Sequence, residues 1–224
     1  MQEHKKIAAR SLALCAVLGA GLAQSQPPPG PMSFFVTSSG SGNGGDLGGL
    51  EGADAICQTL AESVDQGQLT WRAYLSTQGP DAVNARDRIG TGPWFNAEGA
   101  QIAADVDGLH SMQHRMSAFT ALDERGNRIP GSGYSPNRHD ILTGSQPDGT
   151  AYPAGEDMTC GNWTSSADGM GSAMVGHHDL QGNPAGINFW NFSHGSRGCG
   201  QEALVGTGGA GLFYCFATDA PAGP

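Results

Sequence analysis

The chain has 224 residues, of which 11 are basic and 21 acidic, and its formal net charge is −10. So acidic a chain is a poor partner for nucleic acid, heparin-like polyanions and anionic lipid, because like charges repel. It contains 36 glycines and only 38% hydrophobic residues, so a modest core must support many irregular loops.

The first 23 residues are typical of a secretion signal. Lys5, Lys6 and Arg10 form a positive start, residues 11–22 are small or apolar, and Gly21 and Ala23 provide the small side chains of a cleavage site. This apolar run is too short to span a bilayer, and no other segment is a better candidate. We therefore expect export to the periplasm or the cell exterior, with no membrane span. Removing residues 1–23 takes away three basic residues and one acidic residue, which leaves a net charge of −12.

The rest of the chain is expected to be a proline-rich linker at 24–32 followed by one domain at 33–219. Cys15 falls inside the signal, and the bulky leucine before it argues against a lipid anchor there. Four cysteines remain, and an even number in an exported chain indicates two disulfides with three possible pairings. None of the pairs has the close spacing of a zinc knuckle. The four are Cys57, Cys160, Cys199 and Cys215.

The apolar pattern predicts an α+β domain. The segment "SFFVTSS" at 33–39 predicts a strand, and "GLEGADAICQTLAESV" at 49–64 predicts a helix, because its apolar residues recur with helical spacing. "TWRAYLST" at 70–77 alternates like a half-buried strand, with Arg72 and Tyr74 on the side away from the core. Short strands and loops are expected from 78 to 135, and "GLFYCFA" at 211–217 predicts a final strand.

Five segments of the chain together resemble a known family. "GGLEGADAICQTLAE", "WRAYLS", "ILTGSQPDGT", "TCGNWTSS" and the closing "LFYCFA" are similar, in order and spacing, to bacterial secreted lectin-like domains of the endostatin and C-type lectin-like fold. The resemblance implies a mostly antiparallel sheet with an early helix and long disulfide-clamped loops. It also implies the nested disulfides Cys57–Cys215 and Cys160–Cys199.

The same resemblance raises the question of a calcium site. Sugar-binding members of the fold hold calcium with a Gln-Pro-Asp triplet and a later Trp-Asn-Asp, and calcium needs six to eight oxygen ligands. Here Phe192 replaces the final aspartate of the second motif. Thr143-Gly144-Ser145 fits the calcium-free, endostatin-like branch better, so the triplet is interpreted first as a Pro-Asp-Gly turn. The candidate calcium ligands are Gln146, Asp148, Glu156 and Asn191.

A second candidate site lies in the polar last third of the chain. Several imidazoles and a carboxylate suit zinc or another transition metal, although each histidine could instead hydrogen-bond within its own loop. His110 and His114 are interpreted as solvated. The expected ligand-binding residues are Arg138, His139, Asp140, Trp163, His177, His178, Asp179, His194 and Arg197.

These features predict an exported binding module without catalytic activity, with carbohydrate or another component of the cell envelope as the first candidate ligand. The alternative is a structural or protein-interaction domain of the same fold that binds no sugar or metal. A metal-dependent hydrolase ranks third. A Ser/His/Asp hydrolase is disfavoured, because no Gly-x-Ser-x-Gly elbow joins a strand to a helix. Calcium and zinc are the candidate cofactors, and the sequence indicates no oligomeric state.

Overall fold

A computed structural model of the chain describes residues 30–169, 171–182 and 190–219. The predicted signal peptide and residues 24–29 of the predicted linker lie outside the described residues. No helix in the described ranges is both long enough and apolar enough to cross a bilayer. The helices are α1 (Gly49–Glu62), α2 (Val106–Leu109), α3 (Cys160–Trp163) and α4 (Gln201–Thr207). The strands are β1 (Phe34–Val36), β2 (Trp71–Ala73), β3 (Trp94–Phe95), β4 (Gln101–Ala103), β5 (Asp140–Leu142), β6 (Met174–His177), β7 (His194–Gly195) and β8 (Gly209–Ala217).

The main sheet is built around the long strand β8. Strand β1 pairs antiparallel along one side of β8, while β2 and β5 pair with different parts of its other side. Strands β6 and β7 continue the sheet beyond β5, and β3 and β4 form a separate two-stranded sheet. The β5–β8 pairing is parallel and the other described strand pairings are antiparallel. The predicted mixture of a mostly antiparallel sheet with few helices is therefore confirmed.

Both faces of β8 are buried because its side chains alternate between two hydrophobic clusters. Phe213, Cys215 and Ala217 pack into the cluster under α1. Leu212, Tyr214 and Phe216 pack into a second cluster, which also contains Trp94 and Trp190. A strand buried on both faces is an uninterrupted apolar run, which explains why this strand was readily predicted from the sequence.

The predicted early helix is confirmed as α1, which buries Ala53, Cys57 and Ala61 against the sheet. Cys57 bonds to Cys215 and so ties α1 to β8, and Cys160 bonds to Cys199. Both pairings agree with those that the family resemblance implied. The Cys160–Cys199 bond closes the loop region that contains β6 and β7.

Two local expectations were wrong. Tyr74 is fully buried, because the chain leaves β2 at Ala73 and the tyrosine ring packs 4.7 Å from Trp190 in the second cluster. His110 is half-buried rather than solvated: its Nε2 lies 2.7 Å from the Tyr74 hydroxyl and its Nδ1 2.7 Å from the Val106 carbonyl oxygen. Burial lowers the pKa of His110, so the neutral ring is favoured.

Candidate metal centre

Three neighbouring strands bring together side chains that are far apart in the sequence. Asp140 is the first residue of β5 and pairs with His177, the last residue of β6. His194 is the first residue of β7 and pairs with Val175 of β6. Residues opposite each other in an antiparallel pair have side chains on the same face, so the register places Asp140 beside His177. His139, which immediately precedes β5, completes the group.

One carboxylate oxygen lies at the centre of this group. Oδ1 of Asp140 lies 3.2 Å from Nε2 of His139, 3.1 Å from Nε2 of His177 and 3.6 Å from Nε2 of His194. The Nε2 atoms of His177 and His194 are themselves 3.0 Å apart. We call His139, Asp140, His177 and His194 the three-histidine cluster. Among the histidines, cysteines and acidic residues that the structure describes, the first three form a group whose ligand atoms lie close enough together to share one metal ion.

The opposite nitrogen of each imidazole faces an oxygen atom. Nδ1 of His177 lies 2.5 Å from the Gln181 carbonyl oxygen, and Nδ1 of His194 lies 3.1 Å from that of Gly195. Nδ1 of His139 lies 3.4 Å from Oδ1 of Asp179, a close approach without the alignment of a full hydrogen bond. A carbonyl oxygen only accepts, so the Nδ1 atoms of His177 and His194 carry the protons. In their neutral forms these two rings therefore present Nε2 lone pairs to each other and to Asp140.

Asp179 is held firmly as a partner for His139. Its Oδ2 accepts a 2.6 Å hydrogen bond from the Ser132 N–H, and its Oδ1 accepts a 3.0 Å bond from the Gln181 N–H. Burial raises the pKa of Asp179, but its contact with His139 and these two backbone donors lower it further, so its pKa lies well below the ordinary value. Asp179 is therefore a fixed anion behind the His139 ring.

The electrostatics of His177 reflect the same neighbours. Burial is the largest influence and lowers its pKa, but the contacts with Asp140 and the Gln181 carbonyl outweigh burial and raise the pKa above its ordinary value. Both carboxylate oxygens of Asp140 are buried, and neither has a well-aligned hydrogen-bond donor among the described residues. A buried carboxylate without a donor is costly, so the cluster is better suited to holding a cation than to standing alone.

The cluster is closed on one side and open on the other. His139, Asp140 and His177 are at most 8% exposed. The side chain of His194 is 40% exposed, so an ion can reach the cluster from that side.

Four other predicted ligand-binding residues, His178, Trp163, Arg197 and Arg138, are outside the group of described residues that could share the ion. His178 is fully buried next to His177, and burial lowers its pKa to about 4. Trp163 is also fully buried and donates a 2.8 Å hydrogen bond to the Ser76 carbonyl, so its indole belongs to the core and is not accessible to a ligand. Arg197 is exposed near α4, where its N–H donates to Thr207, and Arg138 is half-buried.

The predicted calcium ligands serve a tight turn. The Gln146 side-chain amide donates to Thr150 and to the Ala151 carbonyl, and Oδ1 of Asp148 accepts from the Thr150 N–H and hydroxyl. Asn191 is buried behind this turn and donates to the carbonyls of Gln146 and Pro147. Glu156 is exposed. The triplet is thus part of a hydrogen-bonded turn in which Thr150 occupies Oδ1 of Asp148, which agrees with its first interpretation.

Comparisons with known proteins give no family assignment for this chain. No protein-family model matches it, and a search of curated proteins finds no match either. The resemblance to C-type lectin-like domains stays a prediction from the sequence.

Proposed function

We propose that the chain is an exported, disulfide-stapled domain that binds one transition-metal ion, with zinc as the first candidate, at the three-histidine cluster. The observation that carries this proposal is the spacing of the donor atoms. Four donors held about 2.0–2.1 Å from zinc in a tetrahedron lie about 3.3 Å from one another. The contacts of Asp140 with His139, His177 and His194 are 3.2, 3.1 and 3.6 Å, and His177 and His194 are 3.0 Å apart.

The atoms behind the ligands support the same proposal. Histidine ligands of metals usually donate their second ring nitrogen to a carboxylate or a carbonyl oxygen, which fixes the ring and increases its basicity. His139 faces Asp179, while His177 and His194 face main-chain carbonyls. Three nitrogens and one carboxylate oxygen suit zinc and related transition metals, whereas calcium prefers oxygen ligands alone.

The number of donors favours a binding role over a catalytic one. His139, Asp140 and His177 are close enough to share one ion. His194, whose Nε2 lies 3.0 Å from that of His177 and 3.6 Å from Oδ1 of Asp140, would supply a fourth ligand and fill the tetrahedral position that catalytic sites usually keep for water or substrate. We therefore propose a non-catalytic binding domain of the C-type lectin-like class. Export to the periplasm or the cell exterior is part of this proposal, and the two disulfides are compatible with such an oxidising compartment.

The proposal is tested by measuring zinc binding to the purified chain after treatment with a chelator. Calorimetry and native mass spectrometry should find one zinc ion per chain, and zinc should raise the melting temperature by mass action. His194→Ala should weaken binding strongly and still fold, because that side chain is 40% exposed. His114→Ala is the matched control, since His114 is a half-buried histidine whose Nδ1 accepts a hydrogen bond from the Met116 N–H of its own loop.

Two results would contradict the proposal. One is that the wild-type chain binds neither zinc nor copper, nickel or cobalt. The other is that His194→Ala and His114→Ala bind zinc as tightly as the wild type does.

A further inference from the structure

The histidine on β7 depends on a short hairpin for its position. His139 and Asp140 lie at the start of β5, which is held in the sheet between β8 and β6. His194 belongs to β7, which pairs with β6 over only two residue pairs, one of which is Val175 with His194. A two-stranded ladder this short is marginally stable by itself. Further contacts must therefore hold Nε2 of His194 at 3.6 Å from Oδ1 of Asp140.

These contacts lie at the base of the β6–β7 hairpin. The Ser196 N–H donates to the Ala173 carbonyl over 2.8 Å, and the Ser196 hydroxyl accepts a 2.9 Å hydrogen bond from the Ala173 N–H. On the β6 side, the Cys160 N–H donates to the Ser172 carbonyl, and on the β7 side the chain continues to Cys199. The Cys160–Cys199 bond therefore joins the segment beside β6 to the segment that leaves β7.

The backbone at Cys160 is strained, and the disulfide restrains it. Cys160, Asn162 and Trp163 have positive φ values of 49°, 56° and 66°. Gly161 between them has the same conformation, with a φ of 62°. Side chains crowd the backbone in this left-handed region, so residues other than glycine stay there only when their surroundings hold them. Without the disulfide, Cys160 can relax toward an ordinary conformation and no longer ties down the segment that leaves β7.

The other disulfide has no comparable link to the three-histidine cluster. Asp140 pairs with Gly209, the first residue of β8, whereas Cys215 lies toward the far end of that strand. The Cys57–Cys215 bond joins α1 to the core instead. The two disulfides therefore form a natural comparison, because one lies at the base of the hairpin that carries His194 and the other does not.

We propose that the Cys160–Cys199 disulfide positions His194, so that its formation must precede zinc binding at the three-histidine cluster. This inference rests on the proposed metal function and adds its regulation. The bond forms by thiol–disulfide exchange: the two cysteine thiols lose two protons and two electrons, which reduce the disulfide of an oxidoreductase or of a small-molecule oxidant to two thiols. Zinc loading at the histidines is thereby restricted to an oxidising compartment, where such bonds form and persist.

Calorimetric zinc titrations of the full chain, with alanine in place of each cysteine pair, test this inference. Cys160→Ala with Cys199→Ala should raise the Kd for zinc by about tenfold or more, as the loss of groups that orient metal ligands does elsewhere. Cys57→Ala with Cys215→Ala is the matched control and should bind zinc as the wild type does, although it opens the longer loop. Loss of affinity is thus separated from loss of stability.

A double-mutant cycle shows whether the disulfide acts through His194. In the Cys160→Ala and Cys199→Ala variant, a further His194→Ala should weaken zinc binding much less than it does in the wild type. A general loss of structure would instead make the two effects additive.

A second variant leaves both disulfides intact and decides the case if the cysteine variant does not fold. Ser196→Ala removes the hydrogen bond from the Ala173 N–H at the base of the hairpin, so it should raise the Kd for zinc by about threefold or more. Ser63→Ala, at an exposed serine that follows α1, is its control and should have no effect.

The inference is overturned if the two cysteine-pair variants bind zinc equally tightly, if the effects in the cycle are additive, or if Ser196→Ala binds zinc as Ser63→Ala does. A wild type that binds no zinc overturns the metal proposal and this inference together. A wild type that binds zinc, with variants that bind it equally well, overturns this inference alone.

Discussion

Nδ1 of His139 lies 3.4 Å from Oδ1 of Asp179, while Nε2 of the same ring lies 3.2 Å from Asp140. One imidazole thus connects a carboxylate outside the proposed metal shell with a carboxylate inside it. This connection predicts that Asp179→Asn weakens zinc binding by about 10-fold to 100-fold, as the loss of outer partners of zinc ligands does elsewhere. Calorimetry measures the change. Asp81→Asn, at an exposed aspartate, is the control and should have no effect. Equal affinities for the two variants would show that Asp179 does not act on the metal.

A second prediction concerns Asp54, a buried carboxylate on α1. Its Oδ2 lies 2.6 Å from Arg72, and its Oδ1 lies 2.6 Å from Arg88 and accepts a hydrogen bond from the Ala73 N–H. Arg88 is only 14% exposed, so Asp54→Ala leaves a nearly buried cation without its anionic partner, while its Nε still donates to the Ala73 carbonyl. We expect this change to lower the free energy of unfolding by about 3–5 kcal/mol. Urea denaturation measures it. Glu51→Ala, at an exposed position of the same helix, should change stability by less than about 0.5 kcal/mol.

The two disulfides should differ in their contributions to stability. Cys57–Cys215 closes a loop of 158 residues and Cys160–Cys199 one of 39 residues. The chain-entropy model assigns about 5 kcal/mol to the first and about 4 kcal/mol to the second. Replacing both cysteines of a pair by alanine should therefore cost more at Cys57 and Cys215, as measured by urea denaturation under oxidising conditions. The opposite order would mean that strain or residual structure in the unfolded chain outweighs loop entropy.

His110 predicts a pH dependence of stability that is separate from the metal centre. Burial lowers its pKa in the folded state, so its contribution to stability is complete above the unfolded value of 6.5 and is lost as the pH falls below 6.5 through the folded pKa. Arg86 nearby favours the neutral ring and His114 is a second titrating neighbour, while Asp107 and Asp148 partly oppose the shift.

His110→Gln keeps an acceptor for the Tyr74 hydroxyl but does not titrate. The variant should lose less stability than the wild type between pH 7.5 and pH 5.5. This window extends about one pH unit on each side of the unfolded pKa of histidine.

Thermal denaturation in chelator at a series of pH values measures this difference and keeps the metal out of the comparison. The two proteins differ only at residue 110, so the difference between their curves reports His110 together with its coupling to His114. Parallel stability curves for the wild type and His110→Gln would contradict the assigned burial effect.

Local patterns in the sequence predicted the elements that depend on local physics. Helix α1 follows from helical spacing around Ala53 and Cys57, and β8 follows from an apolar run that is buried on both faces. Tyr74 was misassigned because strand alternation applies only while the strand continues, and β2 ends at Ala73. The end of such a short strand is set by tertiary contacts, here with Trp190, which a local pattern does not contain.

The candidate site was predicted in outline but not in its arrangement. The sequence grouped His177 and His178 together, yet successive side chains at a strand point in opposite directions, so only His177 joins the cluster. Which of the two turns toward Asp140 depends on the register of β5 with β6. A cavity lined by Phe119, Arg128 and Tyr134 was not anticipated, because these residues lie in loops whose shape has no periodic signal in the sequence.

The place of β8 in the sheet has a consequence for the order of folding. Its partners β1, β2 and β5 lie far before it in the chain, at Phe34–Val36, Trp71–Ala73 and Asp140–Leu142. None of these strands can find its central neighbour until the ribosome has made the segment that ends at Ala217. Sheets of such high contact order form late and slowly, so a growing chain stays without its central sheet through most of its synthesis.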